Sequence, residues 1–289
     1  MSGPDPVVPF RWDPARGDRL SSVPLCRAAS HAPYRFPELV ACAGKVLARS
    51  GGGLIFFVGR SCDSVRDLLA GALRDTSHAA APRLLPFSRV GGVADLTPGE
   101  VRQWRANTAA HGLTPAVLAR AGRPVALCDL VDGGATFADL YSLLCAWVED
   151  EREPWSVIRR KLRFVGIVPR GETSPKTWRW HQWAAWTQDL PRSGVLNVSL
   201  EPWAWSYLGN SQAKLTASFT RSRWADHEGA AAPDRGEATR RALHEAERLT
   251  QYACSARGRA DLVRHLVHEP AFREPWLRTL VGELRRIAQ

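Results

Sequence analysis

Two carboxylates, two adjacent glycines and a threonine fall within eight residues of one another in PVALCDLVDGGATFADLY, positions 124–141. Asp129 and Asp132 can accept hydrogen bonds from sugar hydroxyls or approach a metal ion. Gly133 and Gly134 let backbone N–H groups come close to an anion, and Ala135 and Thr136 carry the turn onward with an added hydroxyl. Leu130 and Val131 join the two carboxylates within the same loop. The apolar run 125–127 and the amphipathic segment after Thr136 predict a buried strand that hands this loop to a helix N-terminus. Such a loop can hold a phosphate beside a polyhydroxyl group. A second candidate loop, Gly59-Arg60-Ser61, follows the apolar run LIFFV at 54–58. Arg60 offers a planar, two-pronged grip on phosphate oxygens. Glycines 51–53 precede that run, the wrong end of a strand for a phosphate cradle.

The elements that must position these loops read as an alternation. Helical spacing covers 36–49, 65–74, 97–107 (with Thr97 as N-cap) and 136–150, and strands are predicted at 54–58, 84–87, 124–130 and 164–168. Strands alternating with helices predict an α/β fold, a parallel twisted sheet flanked by helices with ligands at the strands' carboxyl ends. Beyond it, 197–219 reads as a strand pair turning at Gly209-Asn210, with Trp203-Ala204-Trp205 alternating as in a strand. Residues 228–235 read as a linker and 237 onward as helices. The domain reading is 1–50 as an N-terminal wrap and helix, 51–172 as the core, 173–227 as a Trp-rich region completing it, and 236–289 as a C-terminal helical segment.

The 124–136 stretch resembles the phosphoribosyl-pyrophosphate (PRPP) motif of the type I phosphoribosyltransferases. That pattern is four apolar residues, two acidic, two apolar, a further acidic or polar residue, and a Thr/Gly-rich turn ending in Thr. Asp129 matches the second acidic residue, Asp132 the later one, Gly134 the turn glycine and Thr136 the closing threonine. Cys128 stands at the first acidic position and Gly133 where threonine is common. The resemblance implies a phosphoribosyltransferase-like core and the displacement of pyrophosphate from PRPP by an acceptor. It implies that Asp129 holds a ribose hydroxyl directly or through donor-bound Mg²⁺, that 133–136 cradle the 5-phosphate, and that Asp132 serves as general base. Asp129 and Asp132 are then the catalytic pair, residues 129–136 the donor loop, and Gly59, Arg60 and Ser61 the pyrophosphate loop. A mobile flap is implied within 89–123, with Arg102 or Arg105 reaching the pyrophosphate.

Six of the twelve tryptophans fall between 178 and 205. They read as the aromatic core of a subdomain or as a stacking wall for an acceptor, with Trp180, Trp183, Trp203 and Trp205 as candidates. His181 among them reads as structural. One branch of the resembled family acts on amino-sugars in aminoglycoside assembly, so a sugar or amino-sugar hydroxyl of a natural product is the acceptor class considered first. A nucleobase acceptor, or a regulator that senses PRPP or nucleotides without turnover, remains open. The net charge of +10 comes almost wholly from arginine, lysine appearing only at 45, 161, 176 and 214. The arginines are dispersed, which disfavours nucleic acid as a partner. No apolar run is long enough to span a membrane, and the start lacks the apolar core of a secretory signal. Scattered cysteines without CxxC spacing fit a reduced, cytoplasmic protein. The partners expected are PRPP and a small-molecule acceptor, and a homodimer is compatible.

Overall fold

The apolar runs fold as strands buried on both faces. The computed structural model describes residues 3–18, 36–172 and 177–288. In chain order, α1 (Phe36–Ser50) leads to β1 (Ile55–Val58), α2 (Asp63–Ala72) and β2 (Pro82–Leu85). Then come α3 (Pro98–Ala110), α4 (Pro115–Arg120), β3 (Val125–Leu130), α5 (Ala135–Asp150), α6 (Trp155–Lys161) and β4 (Leu162–Pro169). The chain closes with β5 (Val195–Leu200), α7 (Pro202–Ser206), α8 (His227–Ala231), α9 (Glu237–Cys254), α10 (Ala256–Leu266) and α11 (Pro275–Ile287). The five strands form one all-parallel sheet in the order β2-β1-β3-β4-β5. The α/β class with a helix-flanked parallel sheet follows directly.

Successive strand residues face opposite layers, as the two-residue strand period requires. Ile55, Phe57, Ala126, Cys128, Val165 and Ile167 pack with α1 and α2 on one face. Phe56, Val58, Val125, Leu127, Phe164 and Val168 pack with α3 to α6 on the other. The C-terminal helices cover α1 and α2 from outside. Close approach is set by glycines: a Cβ on Gly44 would meet His265 at 3.1 Å, and one on Gly71 would meet the Thr250 carbonyl at 2.9 Å. At the start of α3, Thr97 and Glu100 form a reciprocal capping box. No helix among the described residues is long and apolar enough to cross a membrane, and the described cysteines are free thiols.

Residues 3–18 strap across α2. Val7 N–H donates to Asn107 Oδ1 at 2.6 Å and Phe10 N–H to the Ala230 carbonyl at 2.7 Å. Arg11 pairs with Asp67 at 2.9 Å and Asp63 at 3.4 Å, and Arg66 pairs with Asp13 at 2.7 Å, all buried. Of the predicted N-terminal wrap before α1, residues 1–2 and 19–35 lie outside the described residues, Cys26 with them.

The expected strand pair at 197–219 is not formed. Only 195–200 is a strand, at the sheet edge beside β4. Trp203-Ala204-Trp205 lies in α7, and Gly209-Asn210 lies in a wide π-type turn, Tyr207–Ser211. Pro202 pre-sets the first helical position. Ala204 and Leu208, four residues apart, are the ones buried, which is helical spacing rather than strand alternation. The three-residue spacing of Trp180, Trp183 and Trp186 falls in two 3₁₀ turns, Trp180–Trp183 and Ala185–Asp189. The expected linker at 228–235 is occupied in its first part by α8, capped by Asp226.

Candidate functional site

The chain steps outward from β1 to β2 and returns to place β3 on the other side of β1. The strand order therefore reverses between β1 and β3, the place where open α/β sheets form a ligand crevice at the strands' carboxyl ends. Both candidate loops leave the sheet at that point, side by side, because β1 and β3 are paired with Phe57 opposite Cys128.

After β3 the turn ends at Gly134, whose φ of +81° precedes the first residue of α5. Beneath it lies Trp180, 1% exposed, so close that a Cβ on Gly134 would stand 2.3 Å from its ring. Trp180 donates through Nε1 to Asn197 Oδ1 at 2.8 Å, and Asn197 Nδ2 donates to His181 Nδ1 at 3.2 Å. This relay fixes the floor of the turn. No side chain caps α5 and its first turn carries no acidic residue. Its leading N–H groups and the half-exposed Thr136 hydroxyl are thus left to the crevice. Gly133 is exposed and a Cβ there would meet nothing.

Asp129 sits at the carboxyl end of β3, 7% exposed. Oδ1 accepts from Leu130 N–H at 2.7 Å, and Oδ2 has no partner among the described residues. Burial pushes this carboxyl up to about 8, against the pull of the Leu130 amide and the Lys214 charge. Asp132 is exposed, and its carbonyl accepts from Trp178 Nε1 at 2.8 Å. The Leu130 amide is held by Asp129, and the Val131 amide donates to the Ile167 carbonyl at 2.8 Å, with its side chain in the core. Cys128 faces α1 and α2, 0% exposed, in the same core cluster as Cys62. The first acidic position of the family pattern therefore points away from the crevice, where a carboxylate would be buried among apolar neighbours.

Asp129 makes stability depend on pH. The folded carboxyl keeps its proton up to about pH 8 while an unfolded one releases it near 3.8. Between those values the unfolded chain binds fewer protons, so stability falls as pH rises, by at most about 1.4 kcal/mol per pH unit. Asp129→Asn removes this penalty. The variant is expected to melt higher than wild type near pH 8, with the difference gone near pH 4. Thermal unfolding across that range checks it, and a variant that melts lower at pH 8 would contradict the burial argument.

Across the crevice Gly59 takes φ +67°, with the Phe87 carbonyl 3.0 Å from where a Cβ would stand. Arg60 is half-buried and donates through Nη1 to the Thr216 carbonyl at 3.1 Å, and Ser61 is half-exposed. A cavity of about 40 Å³ adjoins this loop, with Arg11, Gly59, Arg60, Ser88 and His111 among its lining. Burial pushes the His111 imidazole down to about 4.

Sequence reasoning missed Lys214. It follows the π-type turn and lies within electrostatic reach of Asp63, Cys62 and Arg60 on one loop and of Asp129 on the other. Burial pulls its ammonium below the usual lysine range, while Asp63 holds it up. The one available signal was its type, one of four lysines in a chain whose other basic charge is arginine.

The remaining candidates separate. Trp180 is structural, since it is buried under Gly134 and cannot stack on an acceptor. Trp205 is half-buried with Nε1 donating to the Ile167 carbonyl at 3.0 Å. Trp183 and Trp203 are 80% and 43% exposed. Trp178, 45% exposed and bonded to the Asp132 carbonyl, is the tryptophan at the loop itself. Lys176 lies outside the described residues. The expected flap is largely the packed helices α3 and α4. Arg105 pairs with Asp150 at the far end of α5, about 24 Å along the helix from the loop, and does not reach it.

No family model matches the chain, and comparisons with curated proteins and with solved structures find no match. Function must therefore be argued from the crevice itself.

Proposed function

We propose that the chain is a PRPP-dependent phosphoribosyltransferase with a phosphoribosyltransferase-like core, and that it transfers 5-phosphoribose to a hydroxyl of a sugar or amino-sugar with release of pyrophosphate. The observation that carries this reading is the buried carboxyl of Asp129, one oxygen unpartnered among the described residues, beside the uncapped turn Gly133-Gly134-Ala135-Thr136 at the strand-order reversal. A buried carboxyl in that state, largely protonated at neutral pH, gains from exchanging hydrogen bonds with vicinal hydroxyls, which restore the partners that burial removed. The turn and the α5 N-terminus suit the 5-phosphate, and Gly59-Arg60-Ser61 suits the pyrophosphate.

The donor would arrive as its Mg²⁺ complex, the metal supplying positive charge to the pyrophosphate. The residues fit a substrate-borne ion better than a resident one. Asp129 offers one free oxygen, and among the described residues no group of three His, Cys, Asp or Glu side chains is placed to hold a metal. In the reaction the acceptor oxygen forms a bond to the anomeric carbon as the bond to pyrophosphate breaks, the electron pair leaving with pyrophosphate. The acceptor proton passes to the Asp132 carboxylate, exposed at the mouth of the turn. The positive character of the sugar in this loose transition state makes positioning and charge the main contributions. The half-exposed Trp178 indole, tied to the Asp132 carbonyl, offers an apolar face where a sugar ring would lie.

A PRPP-sensing regulator is the second reading, favoured by the core placement of Cys128 where a sugar-contacting acid usually stands. Titration calorimetry with PRPP and Mg²⁺ is expected to give saturable heat, and its absence would sink both readings. Pyrophosphate release with a panel of amino-sugars, sugars and nucleobases is expected for at least one acceptor. Binding without release on any of them would favour the sensor.

A further inference from the structure

Residues 207–216 cross the mouth of the crevice and touch both loops. Gly209 packs on Leu130 at the end of β3, with the Leu130 Cδ2 only 3.1 Å from where a Cβ would stand. Gln212 Nε2 donates to Ser64 Oγ and to Glu245 Oε1, tying the segment to the first turn of α2. The Thr216 carbonyl receives Arg60. Lys214 projects from the middle of this arm. Its ammonium donates to the Leu208 carbonyl at 2.6 Å and to Gln212 Oε1 at 3.0 Å, both on the arm itself. Two of its three protons are thereby used. Among the described residues the third has no partner, and no carboxylate stands within ion-pair distance. A largely buried lysine held this way is a charge opposed only at longer range, by Asp63 and Glu245.

The surrounding charges say what it would take. Arg11, Arg16 and Arg66 face Asp13, Asp63 and Asp67, so the charges of this cluster at the start of α2 balance. Asp63 Oδ2 is buried and unpartnered. Arg60 and Lys214 then add net positive charge, and an Asp129 that still holds its proton at neutral pH adds no negative charge.

We propose that Lys214 receives the diphosphate of the bound donor and with Arg60 forms an anion site spanning the β1 and β3 loops. This rests on the reading of the crevice as a PRPP site and adds to it a residue from the arm after β5. Its test uses the folded full-length protein and inorganic pyrophosphate with Mg²⁺ as the probe, followed by titration calorimetry. Wild type is expected to bind. Lys214→Met is expected to weaken binding at least about tenfold, as loss of a charged hydrogen-bond donor implies. Lys214→Arg should stay within a few-fold of wild type, and Lys45→Met, on α1 and away from the crevice, should be unchanged. If the Met variant lacks the wild-type circular dichroism spectrum, Lys214→Gln is read in its place. Wild-type binding retained undiminished in a folded Lys214→Met would overturn the assignment and leave the donor reading standing. A wild type that binds neither pyrophosphate nor PRPP would overturn both.

Discussion

Gly134→Ala is expected to lower the unfolding free energy by about 2–4 kcal/mol, while Gly133→Ala one residue earlier should change it by less than about 0.5 kcal/mol. The contrast comes from two independent causes that coincide at Gly134 and are both missing at Gly133. Its φ of +81° costs an L side chain about 1–2 kcal/mol, and its Cβ would stand 2.3 Å from a ring carbon of Trp180. Trp180 cannot step aside. It is buried, its Nε1 is committed to Asn197, and it packs on Phe137 with ring centroids 5.6 Å apart. Relief must come from lifting the turn, which also moves the first N–H groups of α5. Urea unfolding of the two variants would check the stability contrast, and equal effects would mean that the turn is less constrained than its geometry implies. PRPP affinity should fall with Gly134→Ala at a temperature where the variant is still folded.

Asp132→Asn is expected to abolish most turnover, roughly a 10²–10⁴-fold loss in kcat, with PRPP affinity nearly unchanged. The amide keeps the size and the hydrogen-bonding oxygen of the carboxylate but cannot take the acceptor's proton. The side chain is exposed, and the bond that ties this residue to its surroundings runs from Trp178 to the main-chain carbonyl, which the substitution leaves in place. Stability should therefore stay within about 0.5 kcal/mol of wild type. Pre-steady-state pyrophosphate release alongside calorimetric PRPP affinity separates the two quantities. Equal loss of both would contradict the assignment of Asp132 as the base and point to a role in holding the donor.

What was legible in the sequence is what short-range chemistry dictates. LIFFV, VALCDL and FVGIV are apolar without alternation, as strands buried on both faces must be, and their alternation with helical segments gave the parallel sheet. The Asp129–Thr136 loop and the Gly59–Ser61 loop were found because glycine, carboxylate and strand end occur together in the chain. Partners distant in sequence were not legible. Trp180 belongs to Gly134 only because β4 and β5 bring Asn197 beneath the turn. The W-A-W alternation at 203–205 imitates a strand, yet Pro202 and the buried pair Ala204 and Leu208 favour a helix. Arg105 looked free to reach the crevice until its pairing with Asp150 placed it at the other end of α5. Lys214 could not be placed at all, since its position depends on an arm that crosses two loops from elsewhere in the chain. The side on which Cys128 falls was likewise a matter of strand parity, and it makes that residue part of the core.

The strand order also has a consequence during synthesis. β1 is fully buried in the finished sheet between β2 and β3. Its neighbour β3 lies ~70 residues further along, which a ribosome adds in roughly 4–14 s. Through that interval the Ile-Phe-Phe-Val edge can be covered only on the β2 side, and its other row of N–H and C=O groups is open to any passing strand. Slow, non-local pairing of this kind exposes a nascent chain to aggregation. Soluble yield from a heterologous host should therefore respond to chaperone supply and to slower, cooler expression more than to any change at the crevice.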